Sequence, residues 1–344
     1  MLFNGCYTAI ITPMNKNFSI DFEGLRRLVE FQVDEGVKGV VVMGTTGESP
    51  TFNWSDHERI IQKVNEYIDG KALTMAGAGS NSTREAFEGT SFISKLGIKV
   101  SILVDPYYNG PSSLEIRKEY VEPIARGFPE MQFIPYIIPG RTGTQLLPQD
   151  LAILHSTFDN VNAVKEASGD LKNSMVTRKL CGDDFCILSG DDDKTYEMMS
   201  SPQIKASGVI SVISNIVPAA VQEMVQALIS GKTLRALEVA KALDPLFKIV
   251  TVKTDEDTPY GPRTVKARNP LPCKTLMSVL GMPSGPCRQP LGKMTEAGLG
   301  LVLQETRKVY EANPWILEPV EKFFDVDLNE RLYNKRYLKD LCYV

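Results

Sequence analysis

Short apolar runs rich in β-branched residues alternate with amphipathic stretches along the first 231 residues. The runs are CYTAIITPM (6–14), GVVVMG (39–44), LTMAGAG (73–79), VSILVDP (100–106), QFIPYIIP (132–139), VNAVKEAS (161–168), FCILSG (185–190) and GVISV (208–212). Between them lie stretches such as DFEGLRRLVEFQVDEG, SDHERIIQKVNEYIDG, SLEIRKEYVEPIARG and PQDLAILHST, which read as helices. Asp21 and Ser55 are placed to cap helix N-termini, and Gly36, Gly70 and Gly127 to end helices. Strand signals that are each followed by a helix signal predict parallel βαβ units, and strands apolar on both faces suit a sheet covered on both sides. Eight such units close into a (β/α)8 TIM barrel. The alternative, an open doubly wound sheet, calls for a glycine-rich first turn, where this chain has TPMNKN.

After Gly231 the pattern changes. Residues 232–250, 274–281 and 295–312 read as helices, and TVKTDEDTPYGPRTVKARNP (251–270), polar and carrying prolines, reads as a surface loop. The tail FFDVDLNERLYNKRYLKDLCYV ends in one more helix, docked by Leu328, Leu332 and Leu341 with Arg331, Lys335 and Lys339 facing water. The expected organisation is a catalytic barrel over 1–231 and a C-terminal helical region over 232–344. That region carries a loop at about 251–268 and a tail at about 315–344.

Composition narrows the function. The chain has 344 residues, 43 % of them hydrophobic, enough for a sizeable core. A net charge of −4 without a basic stripe argues against nucleic acid as a partner. No apolar run approaches the roughly 18 residues of a membrane span. The N-terminal segment lacks a charged leader region and has Pro13 in its short apolar run, so a cytoplasmic protein is expected. Six cysteines without a CxxC read as reduced, mostly buried thiols. The only two histidines, His57 and His155, are isolated, which argues against zinc chemistry and a Ser/His/Asp triad. No metal and no cofactor are expected, which leaves Lys, Tyr, Thr and carboxylates to carry the chemistry.

Barrel enzymes carry their sites at the C-terminal ends of the strands. Collecting those ends brings together Gly44-Thr45-Thr46-Gly47-Glu48-Ser49, Gly77 to Asn81, Asp105 to Asn109, Tyr136 with the following Pro139-Gly140-Arg141-Thr142-Gly143, Lys165, and Gly190-Asp191-Asp192. GTTGES is either a small anion nest suited to a carboxylate or an ordinary tight βα turn. It is not a phosphate-binding P-loop, because no Lys-Ser/Thr pair follows the second glycine. Arg141 offers a planar fork for a carboxylate, although loop arginines also simply face solvent. Lys165 stands in a run that reads as a buried strand. Burial can lower a lysine pKa by up to about 3–5 units, and a neutral amine is the nucleophile a Schiff base needs. The competing reading is a lysine that pairs with Glu166 or snorkels out, but sequence neighbours on a strand point to opposite sides. Tyr108 and Tyr136 are either proton carriers or packing aromatics.

These strand ends, in one register, resemble the dihydrodipicolinate synthase family, in the superfamily that also contains N-acetylneuraminate lyase. The resemblance runs from about Asn4 to Leu299 through TAIITPM, VMGTTGES, AGAGSNST, DPYYN, RTG, VKEASGD, LSGDD, GVISV and NPLPCKTLMSVLGMPSGPCRQPL. It implies class I aldolase-type chemistry, in which Lys165 forms an imine with pyruvate and the derived enamine adds to L-aspartate-4-semialdehyde. The resemblance assigns Thr45 and Tyr136 to a proton relay with Tyr108, which the family supplies from a neighbouring subunit. Thr46 matches the holder of the pyruvate carboxylate, Arg141 the arginine for the semialdehyde carboxylate, and Gly190 and Ile210 the pocket lining. Where the family has asparagine after the tyrosine, this chain has Ile137, read as lying at the mouth of the site. Ser49, Trp54, His57, Asn81, Glu85 and Tyr107 match positions where inhibited members bind L-lysine at a dimer interface. The resemblance also implies a homo-oligomer, a tetramer built as a dimer of dimers. The alternatives are a pyruvate aldolase or lyase for another aldehyde such as a sugar acid, and a non-catalytic binding member.

Overall fold

The computed structural model describes residues 2–343. Eight strands form a closed parallel barrel in chain order: β1 (Gly5–Ala9), β2 (Gly39–Val42), β3 (Leu73–Gly77), β4 (Val100–Val104), β5 (Gln132–Ile137), β6 (Ala163–Glu166), β7 (Cys186–Ser189) and β8 (Gly208–Ser211). The seam is β8 against β1, with Tyr7 opposite Ile210 and Thr8 opposite Ser211. Gly208 permits that closure, since a Cβ there would stand 2.2 Å from the Gly5 carbonyl oxygen.

Side chains alternate across the strands and sort into two buried clusters. Tyr7, Val41, Met75, Ile134, Leu188 and Ile210 fill the barrel interior. Val40, Phe133, Ile137, Val164, Ile187 and Val209 point outward into the layer beneath the helices. Helices follow the strands, among them Phe22–Asp34, Trp54–Ile68, Thr83–Lys95, Pro148–Thr157, Leu171–Cys181 and Pro218–Ile229. Asp21 caps the first as expected, accepting from the Gly24 N–H at 2.9 Å. The second is capped by Asn53 rather than Ser55, because the helix starts at Trp54 and the Asn53 side chain reaches the Asp56 N–H at 2.8 Å.

Past the barrel, Thr233–Lys248, Leu271–Leu280 and Glu296–Ala312 are helical. Their apolar faces, with Leu243, Leu246, Leu276 and Val302, continue the outward cluster of the barrel. The segment expected to be a loop is instead a two-stranded antiparallel hairpin, β9 (Thr251–Glu256) and β10 (Arg263–Arg268). Its period-two pattern is short and interrupted by the Asp, Pro and Gly of the connecting residues 257–262. The tail also departs from expectation, forming two short helices, Glu318–Phe324 and Leu328–Tyr333. Asp325, at φ 54, turns the chain between them. Leu328 and Leu332 are buried as expected. Arg331, expected to face water, lies 4.2 Å from the centroid of the Tyr337 ring. All six cysteines are free thiols, five of them buried. No helix among the described residues is long and apolar enough to cross a membrane.

Candidate active site

Lys165 shares the inward parity of Ala163 and Ala167, so β6 aims its side chain into the barrel. It is 5 % exposed. Across the β5–β6 pair it lies opposite Tyr136, and its Nζ sits 4.0 Å from the centroid of the Tyr136 ring. A ring face is an electrostatically attractive neighbour for an ammonium, but it is not a carboxylate partner. Glu166 points the other way, accepting from the Ser168 N–H at 2.8 Å and Asn173 Nδ2 at 2.7 Å. The paired-lysine reading through Glu166 therefore fails on strand geometry. Gly190 leaves room beside the amine: a Cβ there would lie 2.7 Å from Ala167 Cβ and 3.2 Å from Lys165 Cε.

Two cavities meet at Tyr136. One, of 190 Å³, is walled by Thr46, Tyr136, Arg141, Lys165, Gly190 and Asp191, among others. The other, of 210 Å³, is walled by Thr45, Ser49, Tyr107, Tyr136, Ile138 and Arg141, among others. Arg141 stands at the exposed mouth, on the turn of helix Pro139–Thr142. Thr46 is buried, and its Oγ1 accepts from Asn269 Nδ2 at 2.9 Å. The Asn269 carbonyl in turn accepts from Arg141 Nη2 at 2.8 Å, so one residue ties both candidate carboxylate holders together.

The GTTGES segment is a tight turn, with the Glu48 N–H on the Thr45 carbonyl and the Ser49 N–H on the Gly44 carbonyl. Glu48 adopts φ 63 and is fully buried. Its Oε1 meets Lys274 Nζ at 2.6 Å, and its Oε2 accepts from the Arg288 N–H at 2.6 Å. Lys274 also donates to the carbonyls of Thr12 and Pro286, so this buried network fixes the turn that presents Thr45 and Thr46. Beside Lys165, burial pushes the Asp191 carboxyl up to about 6, helped by Asp193 and Asp192 and opposed by the Lys165 ammonium.

Several expected residues lie elsewhere. Tyr108, at φ 78 and 93 % exposed, borders neither cavity. Ile210 belongs to the interior layer of the barrel and borders neither cavity. Ile137 is not at the mouth, because strand alternation sends it into the outward cluster while Ile138 borders both cavities. Of the six positions matched to lysine binding, Ser49 and Tyr107 border the 210 Å³ cavity. Trp54 packs on His57 with centroids 4.7 Å apart, and Asn81 Oδ1 accepts from the Tyr107 N–H at 2.7 Å. Glu85 accepts from the Ser80 hydroxyl at 2.5 Å. His57 is buried. Burial pulls its imidazole down to about 4 against a hydrogen bond with the Met43 backbone.

Asn269, Asp191, Glu48 and Lys274 were not assigned from sequence. Asn269 and Lys274 stand in NPLPCK, where the asparagine precedes Pro270 and nothing local indicates its partners. Their side-chain partners Thr46 and Glu48 lie more than two hundred residues away, with separations of 223 for Asn269–Thr46 and 226 for Lys274–Glu48.

A barrel that turns a buried amine toward a small cavity with hydroxyl and guanidinium groups has the form of an imine-forming barrel aldolase. The chain belongs to the dihydrodipicolinate synthetase family, whose model matches residues 2–303. It is 39 % identical over 293 residues to the 4-hydroxy-tetrahydrodipicolinate synthase of Methanococcus maripaludis, covering 85 % of this chain and 94 % of the relative. The dihydrodipicolinate synthase of Cyanidioschyzon merolae, solved with lysine bound, is similar at TM-score 0.81 and 31 % identity, over 89 % of this chain and 98 % of that one. The chloride-inhibited enzyme of Acinetobacter baumannii, solved with pyruvate, is similar at TM-score 0.80 and 29 % identity, over 89 % and 98 %.

Proposed function

We propose that this protein condenses pyruvate with L-aspartate-4-semialdehyde to 4-hydroxy-tetrahydrodipicolinate, a step toward diaminopimelate and lysine. The observation that carries the reading is the inward Lys165 amine against the Tyr136 ring, in a cavity that also holds Thr46 and Arg141. The names of the 4-hydroxy-tetrahydrodipicolinate synthase relatives support it. The Lys165 amine adds to the pyruvate ketone and expels water, leaving a protonated imine that acts as an electron sink. Loss of a methyl proton gives the enamine, whose terminal carbon attacks the aldehyde, and the new alkoxide takes up a proton. The amino group of the semialdehyde portion then displaces the Lys165 amine and closes the ring.

Thr46 holds the pyruvate carboxylate and Arg141 the semialdehyde carboxylate. Tyr136 and Thr45 carry protons, completed by Tyr108 from a second copy of the chain. That donation accounts for an aromatic ring standing 93 % exposed on a strained backbone. Gly190 and Ile210 shape the pyruvate pocket, Ile210 from the layer beneath it. The assembly is a homotetramer, a dimer of dimers, in the cytoplasm. L-lysine inhibits through Ser49, Trp54, His57, Asn81, Glu85 and Tyr107, a reading supported by the similar structure solved with lysine.

Borohydride reduction with pyruvate, followed by intact mass and peptide mapping, tests the mechanism. One reduced pyruvate adduct on Lys165 is expected, and no adduct, or one on another residue, overturns it. Steady-state comparison with sugar-acid cleavage tests the acceptor, with semialdehyde the better substrate.

A further inference from the structure

The hairpin β9–β10 stands beside the Lys165 cavity, and its cross-strand pairs change character along its length. Toward the tip they are complementary, with Arg263 opposite Glu256, and Thr264 opposite Asp255 with the Thr264 hydroxyl 2.7 Å from Asp255 Oδ1. Nearer the base, Lys266 stands directly opposite Lys253. Like charges in that position destabilise a strand pair. Arg268 follows on the same face, and Lys266, Arg268 and Thr251 all border the cavity that holds Lys165. Arg141 borders it too. Among the described residues, none of Arg141, Lys253, Lys266 and Arg268 has a carboxylate oxygen within 4.0 Å. Arg268, with burial, Lys253 and Arg141, holds the Lys266 ammonium below the usual lysine range. One N–H of Arg268 goes to the Gly140 carbonyl at 3.0 Å, which sets the guanidinium against the turn bearing Arg141.

Asp191 borders the same cavity and attracts Arg141, but the like-charged Lys253–Lys266 pair destabilises the strands it joins, and an anion at the cavity mouth relieves it. Pyruvate is too small to account for it, because its carbonyl must reach Lys165 while its carboxylate lies at Thr46. A rim set back from the amine in this way suits the far end of a second, larger substrate.

We propose that Lys266 and Arg268 are specificity-determining residues for the acceptor, forming with Arg141 a cationic rim that selects aldehydes carrying a carboxylate distal to the carbonyl. This rests on the proposed condensation and extends it to side chains of the hairpin. The rim captures the acceptor and does not touch the reacting carbons, so its loss acts on KM for the acceptor rather than on KM for pyruvate.

The test is steady-state kinetics of the full-length enzyme and of Lys266→Ala/Arg268→Ala. The double variant raises KM for the semialdehyde by about 10-fold, with kcat changed less than about 2-fold. Raising the salt concentration weakens acceptor binding in the wild type and does so less in the variant. Lys266→Arg/Arg268→Lys, which keeps both charges, restores most of the affinity. An unchanged acceptor KM with an unchanged salt dependence overturns the proposal. An equal rise in pyruvate KM also overturns it, since that marks general damage to the site.

Wild-type turnover is measured first, and its absence refutes the proposed condensation rather than the rim. The rim is then read by calorimetry on pyruvate-loaded enzyme, with succinate semialdehyde as the anionic probe and propanal as the neutral one. A wild-type preference for the anionic probe that the double variant loses supports the rim, and equal preference in both proteins refutes it.

Discussion

Replacing Lys274 by methionine removes one partner of a buried ion pair that anchors the Thr45–Thr46 turn. The Lys274 and Glu48 side chains are 1 % and 0 % exposed and 2.6 Å apart. At an effective dielectric of about 20, unit charges 2.6 Å apart attract by about 6 kcal/mol, and desolvation offsets part of that. What the substitution exposes is the other half of the account, a Glu48 carboxylate left in the core with the Arg288 N–H at 2.6 Å as its remaining hydrogen-bond partner. Lys274 also leaves the carbonyls of Thr12 and Pro286 without their donor. The expected loss is about 3–5 kcal/mol, read from urea unfolding at pH 7. Because Glu48 closes the turn that presents Thr46, the pyruvate KM rises as well. Lys274→Met/Glu48→Leu removes both charges and recovers at least about 1 kcal/mol of that loss, since an apolar pair avoids the stranded carboxylate. A single-variant loss below about 1 kcal/mol refutes the reasoning. So does a double variant as unstable as the sum of the two singles, because the cost would then not reside in an uncompensated charge.

Other perturbations separate the roles at the site. Lys165→Met abolishes both turnover and borohydride trapping while leaving the circular dichroism spectrum unchanged, and residual trapping would place the amine elsewhere. Arg141→Ala raises the semialdehyde KM by about 10–100-fold, from the loss of a charge-assisted fork, and still forms the reduced pyruvate adduct. Burial raises the Asp105 carboxyl from an ordinary 3.8 to about 7, against the Leu146 N–H it accepts. The folded chain therefore retains a proton that the unfolded chain has lost across that window. Its stabilising contribution is full below pH 4 and is lost as pH rises to about 7, by up to about 4 kcal/mol. Urea midpoints at pH 5 and pH 8 measure the change, Asp105→Asn flattens it, and an equal slope in wild type and variant rejects the assignment. Tyr108→Phe lowers kcat, and mixing it with Lys165→Met subunits, each defective at a different step, restores part of the activity if the tyrosine serves a neighbouring copy.

Much of this protein is written in local periodicity. Eight apolar runs separated by amphipathic stretches specify the barrel, because a parallel sheet covered on both faces requires near-continuous burial of its strands. The inward direction of Lys165 also follows from the sequence, since parity along β6 puts it with Ala163 and opposite to Glu166. The mouth position of Ile137 follows from the resemblance alone, and counting alternation from Tyr136 sends it outward instead. What tertiary structure alone decided are pairings between residues far apart in the chain. Asn269 joins Thr46 to Arg141 and Lys274 neutralises Glu48, and the closed barrel also sets the locally paired hairpin beside the cavity that holds Lys165. No spacing rule reaches across two hundred residues. A buried polar group takes whatever partner the closed barrel brings within about 3 Å, and only the closed barrel determines which one that is.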